Sequence, residues 1–177
     1  MKRIFINIVL MLIGIIIYLL QANFFNWFTI NGIKPNLFII YILFIGLFGN
    51  KTMGIFYGAI LGIMLDLIMK EKIGSNLIGY TIVGFIAIMF NKNFSKDSRI
   101  TIMFMVLGTT ISFEIISYFV NYILYEGNFE ALIFAKILII EIIYNILITI
   151  IIYPMLQKFG YYIENEYKGN KILTRYF

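Results

Sequence analysis

Apolar runs long enough to cross a bilayer follow one another along almost the whole chain, with only short polar links between them. The first is "IFINIVLMLIGIIIYLL", residues 4–20. A spanning helix needs about 20 apolar residues, within a range near 17–25. By that measure spans are predicted at about 4–20, 52–69, 73–90, 100–124 and 131–153, with a shorter one at 35–49. With 62% of 177 residues hydrophobic and 13% charged, the chain departs far from soluble domains, in which about a quarter of residues are charged. The expected fold class is therefore an all-α integral membrane protein, with about six transmembrane helices in one bundle.

The links support that partition. Lys2-Arg3 and the first apolar run resemble the start of a signal peptide. The run is too long for an h-region and no A-x-A-like site follows, so an uncleaved first transmembrane helix is expected. "QANFFNWFTINGIK" is wetter and aromatic, which suits a membrane interface. Pro35 then opens the second span in the first turn of a helix, where proline costs least. At ~1.5 Å per residue that span reaches only ~22 Å against a core of ~30 Å. It is therefore tilted inward, extended at its start, or shielded by neighbours. "GNK", "KEK", "NKNFSKDSR" and "YEGNFE" separate the later spans. The sixth span should stop near Pro154, leaving residues 157–177 as a polar, aromatic cytoplasmic tail at the membrane surface.

Charge sets the orientation. With the N-terminus inside, Lys2, Arg3, Lys51, Lys92, Lys96, Arg99, Lys158, Lys168, Lys171 and Arg175 lie on the inner side. Lys34, Lys70, Lys72 and Lys136 lie outside, so ten of the 14 basic residues are cytoplasmic. The positive-inside rule then places both termini in the cytoplasm. The formal net charge of +5 reads as orientation in the membrane rather than as affinity for nucleic acid. The chain has no cysteine and no histidine, which excludes disulfides and Ser-His or Cys-His catalysis within it. No catalytic, cofactor-binding or metal-binding residue is assigned.

Carboxylates in hydrocarbon cost about 2.5–3.5 kcal/mol on insertion scales, and Asp66, Glu114 and Glu141 lie within or at the edge of spans. Residues three and four apart share a helix face. Thr110, Glu114, Ser117, Tyr118 and Asn121 therefore form one polar stripe on the fifth span. Glu141, Tyr144, Asn145 and Thr149 form another on the sixth. A short turn joins these spans, Glu114 and Glu141 fall at similar depth, and both stripes should face the bundle interior. They serve as hydrogen-bonded glue, as a ligand or proton pathway, or as an interface with another membrane protein.

The third span carries Gly54, Gly58 and Gly62 at four-residue spacing and then Asp66, with Ala59 beside them. Such a stripe lets another helix approach closely, either within the chain or from a partner. Asp66 is expected near the outer end of its span. There it should bond the 70–76 turn, at Ser75 or Asn76, and attract the orphan amides that open the fourth helix. Lys70 and Lys72 are close enough to favour its ionised form.

At these residues the sequence resembles the rod shape-determining protein MreD family. The likeness covers length, a six-span layout and a proline opening the second span at "KPNLFIIYILFIGL". It includes the glycine-rich span into an Asp, "GIFYGAILGIMLDLI", and the Gly-containing turn and helix "GSNLIGYTIVGF", with Gly74. The family often has an acidic residue after that proline, where this chain has Asn36. The resemblance implies a non-enzymatic component of the bacterial inner membrane that works with MreC and the lateral wall-synthesis machinery. It makes Pro35, Gly54, Gly58, Gly62, Asp66 and Gly74 helix-packing or partner-interface residues. It also implies the six-helix fold of the vitamin-binding S components of energy-coupling-factor transporters. A substrate-binding S component is accordingly the alternative, with Glu114 and Glu141 meeting a cationic or hydroxylated ligand. Against it, the first span lacks the Ala-x-x-x-Ala signals of such subunits and has only Gly14 as a small residue. An intramembrane enzyme would need Asp66 to converge with the two Glu, and the span layout keeps them apart.

Overall fold

The computed structural model describes residues 2–50, 52–69, 74–125 and 130–168. Helix α1 is Lys2–Leu19 and runs on through a π-helical turn, Leu20–Phe24, into a last helical turn, Phe25–Trp27. Then follow α2 Leu37–Phe48, α3 Met53–Met69, α4 Ser75–Asn93, α5 Arg99–Tyr125 and α6 Ala131–Lys168. The α1–α2 link turns at Asn31-Gly32, both with positive φ (52° and 79°). Ile30 and Ile33 exchange backbone hydrogen bonds of 2.9 and 3.0 Å across that pair. An Asn-Gly dipeptide tolerates this conformation where bulkier residues would not.

The short α2 is the centre of the molecule. Every one of its residues from Leu37 to Phe48 is buried, and it touches all the other helices. A helix that is hydrophobic all round is stable only when it is surrounded. Of the three possibilities for a short second span, the structure selects shielding by neighbours. Its 12 residues are about 18 Å long at 1.5 Å per residue. Phe38, Ile39 and Ile42 pack against Leu10, Tyr57, Leu61 and Val83. Leu43, Leu47 and Phe48 pack against Ala87, Ile102, Val106 and Tyr153.

The helices around this core turn apolar faces outward. Ile4, Ile8, Leu12 and Leu19 on α1 are exposed, as are Phe104, Ile115 and Phe119 on α5 and Ile139, Ile143 and Leu147 on α6. Continuous apolar exposure of this kind marks a membrane-facing surface. Among the described residues, Lys2–Asn26, Arg99–Ile123 and Ala131–Tyr167 are long and apolar enough to cross a membrane, and Leu37–Phe48 and Met53–Ile68 are shorter apolar helices.

Two boundaries differ from the sequence expectation. Pro35 lies just before α2, which begins at Leu37 with Asn36 as its N-cap, because the Asn36 backbone and side chain are both held by other helices. Helix α6 does not stop near Pro154 but continues to Lys168. Proline at 154 forfeits only its own N–H bond, a loss that membrane helices tolerate. Packing holds the continuation in place. Ile163 is buried, with Phe159 packed against the core. Glu164 meets Lys96 at 2.6 Å, and the Lys96 ammonium also donates to the Leu47 carbonyl at the end of α2 (3.2 Å). The Lys2–Glu166 pair (3.5 Å) ties α1 to the same end. Residues 169–177 lie outside the described residues.

Candidate functional site

Helix α4 begins at a residue that cannot cap it. Its N-cap is Gly74, held at φ 103°, a left-handed conformation that favours glycine. An N-cap side chain normally accepts the next free amides, and Gly74 has none. Asp66, near the end of α3, performs that role from the facing helix. Its Oδ2 accepts the Gly74 amide at 2.9 Å and the Leu77 amide at 3.1 Å. Its Oδ1 accepts the Asn76 amide at 3.1 Å and the Asn76 side-chain amide at 3.0 Å. The carboxylate is buried, and the partial positive charge of a helix start favours it there. Ser75 is buried beside it, while Lys70 and Lys72 lie outside the described residues.

The glycine stripe faces α4. A Cβ at Gly58 would lie 2.3 Å from the Tyr80 carbonyl oxygen, and one at Gly62 would lie 2.6 Å from the Leu77 Cα. A Cβ at Gly54 would meet the Gly46 Cα and the Gly84 carbonyl, each at 2.9 Å. Thus α2, α3 and α4 come together at three glycines, and close backbone approach of this kind favours weak Cα–H···O contacts. Gly46 and Gly84 were not singled out in the sequence, because neither belongs to a run with four-residue spacing. With this face covered by α4, the stripe is not an open groove for another protein.

A buried polar centre lies beside the same hairpin. The Asn36 amide donates to Asn145 Oδ1 at 2.8 Å, and the Tyr80 hydroxyl donates to Asn36 Oδ1 at 2.9 Å. Asn145 Nδ2 donates to the Thr110 hydroxyl at 3.1 Å, and the Leu37 amide donates to Gln21 Oε1 at 3.2 Å. The free amides at the start of α2 are thus met by side chains from α6 and from the π-turn after α1. Thr149, the last member of the α6 stripe, returns its hydroxyl to the Asn145 carbonyl at 2.7 Å. Asn36, Tyr80 and Gln21 have central places that no short-range pattern marked.

The polar stripes divide. Glu114 and Glu141 are neighbours across α5 and α6. Glu141 is buried, and its Oε1 has no hydrogen-bond partner, nor has Asn121 Oδ1. Together with Gln21, Lys34, Pro35, Asn36, Ser75, Asn76, Tyr80 and Ser117, these two residues line a cavity of about 290 Å³. Tyr118 and Tyr144 do not join it. Tyr118 packs on Phe134 and accepts the Glu130 amide (2.9 Å). Tyr144 donates to the Phe28 carbonyl (2.5 Å). Among the described residues, no group of three or more carboxylates could hold a metal ion.

Fold and surface together define an all-α membrane protein with a buried polar centre at the start of α2. The chain belongs to the rod shape-determining protein MreD family, whose model matches residues 1–163. No curated protein matches it, and no solved structure does. Membership assigns the chain to the determination of rod shape.

Proposed function

We propose that this chain is a non-enzymatic, multi-pass component of the bacterial inner membrane that binds MreC-like and other wall-elongation proteins and so supports lateral peptidoglycan synthesis. In this arrangement both termini are cytoplasmic. The observation that carries the reading is the family match across residues 1–163. The chemistry of the interior agrees with it: Asp66, Asn36, Asn145 and Thr110 are engaged in holding helices together. Partner contacts then fall to the outward faces of the bundle, because α4 already covers the glycine stripe. Depletion followed by microscopy tests the proposal, with co-purification of the MreC-like protein from membranes as its molecular readout. Rounded cells and a lost complex are expected. Unchanged rods with an intact elongation complex would sink it.

A second reading, a substrate-binding subunit of a vitamin transporter, is favoured only by the polar cavity that reaches Glu141. Saturable vitamin uptake that depends on this chain would put that reading first.

A further inference from the structure

The cavity beside α2 contains acceptors without donors. Glu141 Oε1 and Asn121 Oδ1 are buried, unpartnered, and belong to residues lining the same space. Glu141 is only 6% exposed and so is largely withdrawn from bulk water. Buried acceptors of this kind are rare in folded proteins and call for a missing donor. The neighbouring Glu114 places a second carboxyl group beside Glu141. Lys34 lines the same cavity. Its ammonium donates to Asn26 Oδ1 at 3.2 Å, and among the described residues it forms no ion pair with either glutamate.

The volume of about 290 Å³ is near the lower end for small-ligand sites and is much more than one bare ion fills. A protonated primary amine supplies three donors in one compact head, which matches several acceptors converging from α5 and α6. Lys34 offers a complementary place for an anion carried on the same molecule. We propose that this cavity is a binding site for a protonated primary amine tethered to an anionic group, with the ammonium on Glu141 and Asn121 and the anion toward Lys34. Phosphoethanolamine has this chemistry, either as the free compound or as the headgroup of phosphatidylethanolamine. The site is independent of the role in wall elongation.

The test uses the full chain, purified in detergent and in nanodiscs. Thermal unfolding is followed with ethanolamine, O-phosphoethanolamine and tetramethylammonium, the last being a cation without N–H donors. Native mass spectrometry reads retained lipid after reconstitution in phosphatidylethanolamine/phosphatidylglycerol or phosphatidylcholine/phosphatidylglycerol. Saturable stabilisation by the two amines supports a free ligand. Selective retention of phosphatidylethanolamine with no effect of the soluble amines supports the headgroup. Glu141→Gln should weaken either signal by about tenfold or more, the usual range for a lost charge-assisted hydrogen bond. Asn121→Leu, which keeps Glu141, should weaken it less and provides the readout if the first variant does not fold. Lys34→Gln should weaken O-phosphoethanolamine and leave ethanolamine unchanged. The proposal is overturned if no amine or phosphatidylethanolamine signal appears. It is also overturned if tetramethylammonium is equally effective, or if the signal survives both the Glu141 and the Asn121 substitutions.

Discussion

The Asp66 carboxylate and Asn76 meet twice. Asp66 Oδ1 accepts the Asn76 backbone amide at 3.1 Å and the Asn76 side-chain amide at 3.0 Å. With the Gly74 and Leu77 amides on Oδ2, one carboxylate at the end of α3 organises the first turn of α4. The two helices are consequently fixed both along their length, by the glycine stripe, and at their end, by this cap.

Replacing Asp66 with Ala removes all four accepted bonds and leaves buried amides without partners. Bonds to a charged group are worth about 1.5–3 kcal/mol, and leaving their donors unmade adds to the loss. The expected outcome is a destabilisation of about 3 kcal/mol, with insertion retained and the elongation complex and rod shape impaired. Asp66→Asn should recover part of the loss, since it keeps one acceptor oxygen. Denaturant unfolding in detergent, run beside partner co-purification, gives both readouts. Wild-type stability and full retention of partner and shape in Asp66→Ala would show that the cap is dispensable.

Gly58→Leu tests the other restraint. Even the first carbon of a side chain there would fall 2.3 Å from the Tyr80 carbonyl oxygen, and α4 cannot yield locally because its backbone forms that contact. Overpacking of this kind costs typically 1–3 kcal/mol. Gly58→Ala should already lower Tm, and Gly58→Leu should lower it further and reduce recovery of the complex. Ala59→Leu, one position along and partly exposed, should leave the unfolding free energy within about 0.5 kcal/mol of wild type, as surface substitutions do. Equal effects at 58 and 59 would contradict the stripe's specificity.

What the sequence made legible was local. The glycine spacing, the apolar run of α2 and the reach of Asp66 to the turn all depend on residues within about ten positions of one another. The polar centre was not legible in the same way. Asn36 stood only as a missing acidic residue, whereas the structure shows its amide held by Asn145, 109 positions away. Helical spacing placed Tyr118 and Tyr144 on the interior stripes, yet each has a long side chain that reaches a partner at the periphery. Pro154 failed as a stop signal because the packing of Phe159 and Ile163 outweighs one lost backbone bond.

The centre around Asn36 should behave as a network. Asn145→Leu leaves the Asn36 amide and the Thr110 hydroxyl without their partner, at a cost of about 1–3 kcal/mol for each orphaned buried group. Tyr80→Phe removes only the hydroxyl bond to Asn36 and should cost about 1 kcal/mol. Because both act through Asn36, the double variant should cost less than the sum of the two single losses. Unfolding free energies from a double-mutant cycle measure this directly. Strict additivity would mean that the two bonds are independent.

Orientation in the membrane can be read with single cysteines, since the chain contains none of its own. Thr29, in the α1–α2 link, and Ser95, between α4 and α5, are both exposed and lie at opposite ends of the bundle. If the basic residues near Lys2, Lys92, Lys96 and Arg99 face the cytoplasm, as the positive-inside rule requires, Thr29→Cys is accessible from outside. Ser95→Cys is then protected until the membrane is permeabilised. Labelling spheroplasts with a membrane-impermeant maleimide should therefore modify the first variant at once and the second only after detergent. The reverse pattern would invert the proposed topology. It would also place Lys34, which lines the Glu141 cavity, on the cytoplasmic side.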